Sequence, residues 1–147
     1  MKTINIIFTL LLFSLSAEAQ SLKSGLTKTV YAINKILHQD KNVRFTNQNY
    51  ALFYPTKINA NLQGEFICID SSTRLSQKSS GIIFNVMKVK SFAIKAGEIV
   101  AFGHHHETIV AIQAGNEQEM QALKKELDAL RFICNQYSEQ DPKFKCD

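Results

Sequence analysis

The chain has 147 residues, 45% of them hydrophobic, and a formal net charge of +4 at neutral pH. Such a composition excludes an intrinsically disordered chain, whose scarce apolar side chains could not offset the entropy lost on folding. The length matches one ordinary globular unit.

The chain opens with a leader. Lys2 supplies a short positive start, Ile6 to Leu15 form an apolar run, and Ser16-Ala17-Glu18-Ala19 places small residues where signal peptidase reads them. This order predicts a secretory signal peptide over residues 1–19, cleaved after Ala19. A spanning helix needs about 20 apolar residues, roughly twice this run. No cysteine closely follows the apolar core, and the tail from Asp141 to Asp147 is polar, so neither kind of lipid anchor is expected. The expectation is a single soluble domain over residues 20–147, secreted or periplasmic, without a transmembrane anchor. No N-x-S/T acceptor occurs, which favours a bacterial source.

Charge is unevenly placed. From Gln20 to Lys95 there are 11 basic and 3 acidic residues, and from Ala96 to Asp147 there are 5 basic and 9 acidic. The basic N-terminal half suits an anionic partner. It contains no tight basic cluster, so nucleic acid is not expected as a partner.

Ser21 to Gln39 reads as a helix: Leu22, Leu26, Val30, Ile33 and Leu37 fall on one face. Ser21 is a candidate cap, and Gly25 costs its first turn about 1 kcal/mol relative to alanine. From Val43 the period changes to two. Tyr50, Leu52 and Tyr54 alternate before Pro55, and Ile58, Ala60, Leu62, Gly64, Phe66 and Cys68 alternate along one strand or two strands joined by a bend. The polar stretch Asp70 to Ser80 reads as a loop. Gly81 to Val89 is apolar on both parities, as in a central strand. Ala96-Gly97 marks a turn, Gly103 to Glu107 a second tight connection, and Thr108 to Gln113 the last strand. Asn116 to Asn135 is a helix with Met120, Leu123, Leu127, Leu130 and Cys134 on one stripe, and Asn116 with Glu119 forms a candidate capping box.

The expected fold is α+β: an N-terminal helix, an antiparallel meander of about five to seven strands, and a C-terminal helix packed on the sheet. Two architectures resemble this outline. One is the pleckstrin-homology type, a barrel-like sheet closed by a C-terminal helix; the other is an open sheet carrying helices. No motif selects between them.

Three candidate sites follow. Oxidising surroundings favour a disulfide, and Cys134–Cys146 would clip the tail to its helix, with Cys68 as a rival partner for Cys134. Gly103-His104-His105-His106-Glu107 is the one unusual run: on a strand edge, His104 and His106 would point the same way and bind zinc or copper, with Glu107 adding an oxygen. Tyr50, Phe53 and Tyr54 form an aromatic group that could offer a ligand or partner surface.

No nucleophile elbow, zinc-protease helix, P-loop or dinucleotide glycine pattern is present. A Cys–His pair such as Cys68 with His105 has no distinctive spacing. The expectation is therefore a small exported binding module without catalytic activity or resident cofactor, recognising an unknown protein or small molecule. A weak metal-binding protein and a small exported enzyme with an unrecognised site are the alternatives.

Overall fold

A computed structural model describes residues 2–72 and 80–140, with side chains placed over 17–72 and 80–139. Helix α1 (Lys2–Gln39) is followed by strands β1 (Arg44–Asn47), β2 (Leu52–Phe53), β3 (Pro55–Ala60), β4 (Glu65–Ser71) and β5 (Gly81–Asn85). A single 3-10 turn (Val86–Lys88) leads to β6 (Ser91–Lys95), β7 (Glu98–Phe102) and β8 (Thr108–Gln113), and helix α2 (Glu117–Gln140) follows. The α+β class and the order helix, antiparallel strands, helix match expectation. Among the described residues, no helix is long and apolar enough to cross a membrane.

The strands differ from a simple meander. There are eight among the described residues, in two antiparallel sheets ordered β2-β1-β8-β7-β6 and β3-β4-β5. Only Tyr54 separates β2 from β3, so one bent strand passes between the sheets. Pro55 follows the bend; lacking an N–H, it suits the start of a strand. The last strand returns beside the first, with Phe45 opposite Ile112. The six alternating residues from Ile58 to Cys68 are all buried: Ile58 and Ala60 on β3, Phe66 and Cys68 on β4, and Leu62 and Gly64 in the turn at residues 61–64 that joins them.

Gly81 to Val89 is not one central strand. β5 stops at Asn85, whose side chain accepts the Met87 N–H at 2.9 Å and starts the 3-10 turn. Val86 and Val89 still reach the core, which accounts for the apolar run. β5 is an edge strand, and Ile82 is 53% exposed. The turn at Ala96-Gly97 has positive φ at both residues, 50° and 80°. That is the type I′ geometry whose twist suits a two-residue hairpin, here joining β6 to β7.

Four phenylalanines cross from sheet to sheet. Phe45 of β1 stacks on Phe66 of β4 at 5.5 Å, Phe66 on Phe84 of β5 at 5.0 Å, and Phe84 meets Phe92 of β6 edge-on at 6.3 Å. The stripe expected for α2 is buried throughout. α2 packs on β6, β7 and the 3-10 turn, while α1 packs on β3 and α2, so the helices also cover each other. Gly25 now has a use: a methyl added there would meet Ile133 of α2 at 3.3 Å, so its absence lets the helices approach.

α1 does not start at Ser21. It runs unbroken from Lys2, because Ala17, Glu18, Ala19 and Gln20 are all compatible with a helix. Its other end is tied down by Asp40. This carboxylate is only 6% exposed and accepts the N–H groups of Asn42, at 2.9 Å, and of Gly115. The end of α1 is thereby held to the approach to α2. Asn116 caps α2 by accepting the Glu119 N–H at 2.9 Å. The Glu119 carboxyl, in contrast to a full capping box, faces Asp40.

Loss of water, then the Asp40 charge and a hydrogen bond with Asp40, raise the Glu119 carboxyl above the usual range. A raised acid binds more protons folded than unfolded. Its contribution is therefore complete below the unfolded value of about 4.3 and declines as pH rises through the higher folded value. Glu119→Gln should gain melting temperature relative to the parent as pH increases from about 4 towards neutrality. Thermal melts across that range check this, and a constant difference would show that the two carboxyls do not interact.

Candidate functional site

The broader of two recesses among the described residues lies where α1 crosses β3. Tyr31, Lys35 and His38 follow one another at helical spacings of four and three, on the opposite side of α1 from its apolar stripe. Thr56 and Lys57 of β3 form the other wall, with Asn34 and Gln39 completing a groove of about 570 Å³. Tyr31 is 72% exposed. No carboxylate lines the groove, and neither lysine has an ion-pair partner among the described residues.

Asn34 fixes the two walls together. Its side-chain oxygen accepts the Ile58 N–H at 2.8 Å, and its amide nitrogen donates to the Ile58 carbonyl at 2.9 Å. One carboxamide thus supplies both partners that a neighbouring strand would offer, and it closes the outer edge of β3. Sequence reasoning missed this groove because Lys35 and Lys57 are distant along the chain. The available signal was the polar row Tyr31, Lys35, His38.

A second recess, of about 300 Å³, lies between the β1–β2 turn and β5. Several of its polar groups are already engaged. Asn47 accepts the N–H groups of Asn49 and Ala51, Glu65 accepts from the Asn61 amide, and Asn85 donates to the Gln63 carbonyl. These bonds shape the local turns and leave fewer groups for a ligand.

The histidine run is a turn and not a strand edge. Gly103 N–H donates to the Glu107 carbonyl at 2.8 Å, and His106 has φ 64°. His104, His105 and His106 are all exposed. The alternation that would have aligned His104 with His106 is lost. Glu107 folds back to accept the His105 N–H at 2.9 Å. Backbone hydrogen bonds, its own N–H first, lower its carboxyl below the usual range, with smaller help from His105 and His104. Among the described residues, no three His, Cys, Asp or Glu are grouped to hold a metal.

The aromatic group is divided. Tyr50 is 84% exposed in a turn with φ 57°, Phe53 is buried in the core, and Tyr54 is half-buried at the bend. The left-handed residue breaks the parity that would have placed Tyr50 and Tyr54 on one face. Phe53 therefore cannot contribute to an open partner surface.

Cys68 and Cys134 are both buried and are not bonded to each other. Cys68 Sγ donates to the Asp70 carbonyl at 3.4 Å, and Cys134 Sγ to the Asn61 carbonyl at 3.6 Å. Cys146, the favoured partner for Cys134, lies outside the described residues. Burial pushes both thiols up to about 11, with the Asp70 charge adding to the shift at Cys68 and the Gly64 N–H opposing it at Cys134.

No protein-family profile matches the chain. No curated protein matches it. Among solved structures it is similar to one described as "PH domain from TgAPH", with 15% sequence identity and a TM-score of 0.44, covering 76% of this chain and 96% of that one.

Two predictions follow from the local bonding. Thiols raised this far are thiolate in about one molecule per thousand at pH 8. In a Cys146→Ser variant, Cys68 and Cys134 should resist a thiol-specific dye until denaturant is added, whereas immediate labelling would show exposed or activated sulfurs. Asn34→Ala should cost about 1–3 kcal/mol in a urea melt, because it strips both partners from the Ile58 backbone. A loss below about 0.5 kcal/mol, the lower end for one ordinary hydrogen bond, would mean that water replaces both bonds.

Proposed function

We propose that this chain is a small exported binding module without catalytic activity, and that its ligand occupies the groove between α1 and β3. The observation that carries the reading is the groove itself. It has the volume of a small-molecule site and presents an exposed ring and three basic side chains, with no carboxylate or thiol in its lining. Such a lining suits holding a ligand, and it lacks the paired carboxylates or activated thiol of a hydrolytic site. Both described thiols lie in the core, away from that lining.

Export is the second half of the proposal and rests on the leader over residues 1–19. Cleavage after Ala19 would leave α1 to begin at Gln20. Every groove residue and the whole apolar stripe lie beyond that point.

Native mass spectrometry tests both halves on untagged protein recovered from the periplasm or the medium. The expected species is residues 20–147 carrying a non-covalent adduct that Tyr31→Ala removes. An intact Met1 on protein found only in the cytosol would end the export reading. An adduct indifferent to Tyr31→Ala, or no adduct, would end the assignment to this groove.

A further inference from the structure

We infer that the ligand of the α1–β3 groove is a small organic oxyanion, a carboxylate or phosphate monoester, carried on a flat apolar body. The inference rests on the binding reading above and specifies its chemistry.

Charge selects the head group. Lys35 and His38 approach from α1 and Lys57 from β3, so both walls contribute basic side chains while no acid lines the space. Asp70 stands opposite Lys57 across β3 and β4 but does not line the space, so within the groove the like charges repel one another. An oxyanion between the walls turns that repulsion into attraction. The last carbonyls of α1 place a partial negative charge near this end, which opposes an anion and makes both lysines necessary. Lysine is a point charge without the planar fork of arginine, so carboxylate and phosphate are both accepted.

Two further features restrict the body. The Asn34 carboxamide could have read a sugar or amide, but both its ends are committed to Ile58. Asn34 is therefore not available for neutral polar recognition, which falls to Thr56 and Gln39. The exposed Tyr31 ring and the aliphatic stems of Lys35 and Lys57 supply apolar surface instead. A ring favours a flat partner stacked with an offset.

Isothermal titration of the chain over residues 20–147 with a naphthyl series tests this. Naphthoate and naphthyl phosphate should bind at one site at least about tenfold more tightly than naphthalenemethanol. Naphthylmethylammonium and inorganic phosphate should show no saturable binding. Lys35→Glu and Lys57→Glu should each weaken the two anions by about tenfold or more while leaving the alcohol and the circular dichroism spectrum unchanged. Lys35→Gln provides a milder variant should the charge reversal disturb folding, and it should weaken the same two compounds.

Binding indifferent to the head group, or inorganic phosphate binding as tightly as naphthyl phosphate, overturns the inference. So does sedimentation with phosphatidylglycerol vesicles when no free naphthyl compound binds, since the source is then a lipid surface. If the Tyr31-dependent adduct is present but the naphthyl anions do not bind, the ligand class is wrong and the binding reading stands. If neither is seen, both fail.

Discussion

The column of Phe45, Phe66, Phe84 and Phe92 holds one sheet against the other, and the position of everything else follows from it. Among the described residues the chain passes between the sheets at the Tyr54 bend and at the 3-10 turn Val86–Lys88, and these narrow connections leave the space inside to be filled by side chains. The four rings fill it: the two end rings, Phe45 and Phe92, come from the five-stranded sheet and the two middle rings, Phe66 and Phe84, from the three-stranded one. Each close aromatic pair contributes about 0.5–1.5 kcal/mol beyond the area it buries. This fixes β3 and β4 relative to β1, and β3 is the wall on which α1 rests. A groove defined by one residue row on a helix and two residues on a strand keeps its shape only if that wall cannot tilt.

Asn34 carries the constraint from the core to the surface. The stripe of α1 faces inward, so the polar row of the same helix must face away, and the carboxamide between them sets the helix to β3 at Ile58. The same bonds protect an edge that would otherwise expose unpaired backbone. One side chain thus contributes to stability, to edge protection and to the geometry of the candidate site. The basic character of that site comes from residues whose individual roles on a solvated surface would be unremarked.

Local features were legible in the amino-acid order. The α2 stripe, the Thr108–Gln113 strand, the hairpin at Ala96-Gly97 and the alternation through Ile58 and Cys68 each depend on neighbours within a few positions. The pairing of β1 with β8 depends on a register between segments far apart, and no period records it. β5 ended early because one side chain, Asn85, offered the backbone a turn. Tyr50 and His106 stand in left-handed backbone, which shifts every parity argument drawn across them. The groove was least visible of all. Its lysines lie on different elements, and only the contact of α1 with β3 makes them neighbours.

The return of β8 beside β1, reinforced by the Asp40 to Gly115 bond, means that the early segments wait for late ones during synthesis. Ribosomes deliver α1 and β1 early, yet the surfaces meant to cover them are among the later segments to emerge. During synthesis Ile33, Leu37 and Phe45 lack their final neighbours, and the nascent chain exposes the kind of apolar surface that associates wrongly. Closure of long-separated ends also slows folding once the chain is complete. A holding factor that keeps the early half apart until the late half arrives would therefore raise the yield of native protein without touching its final stability.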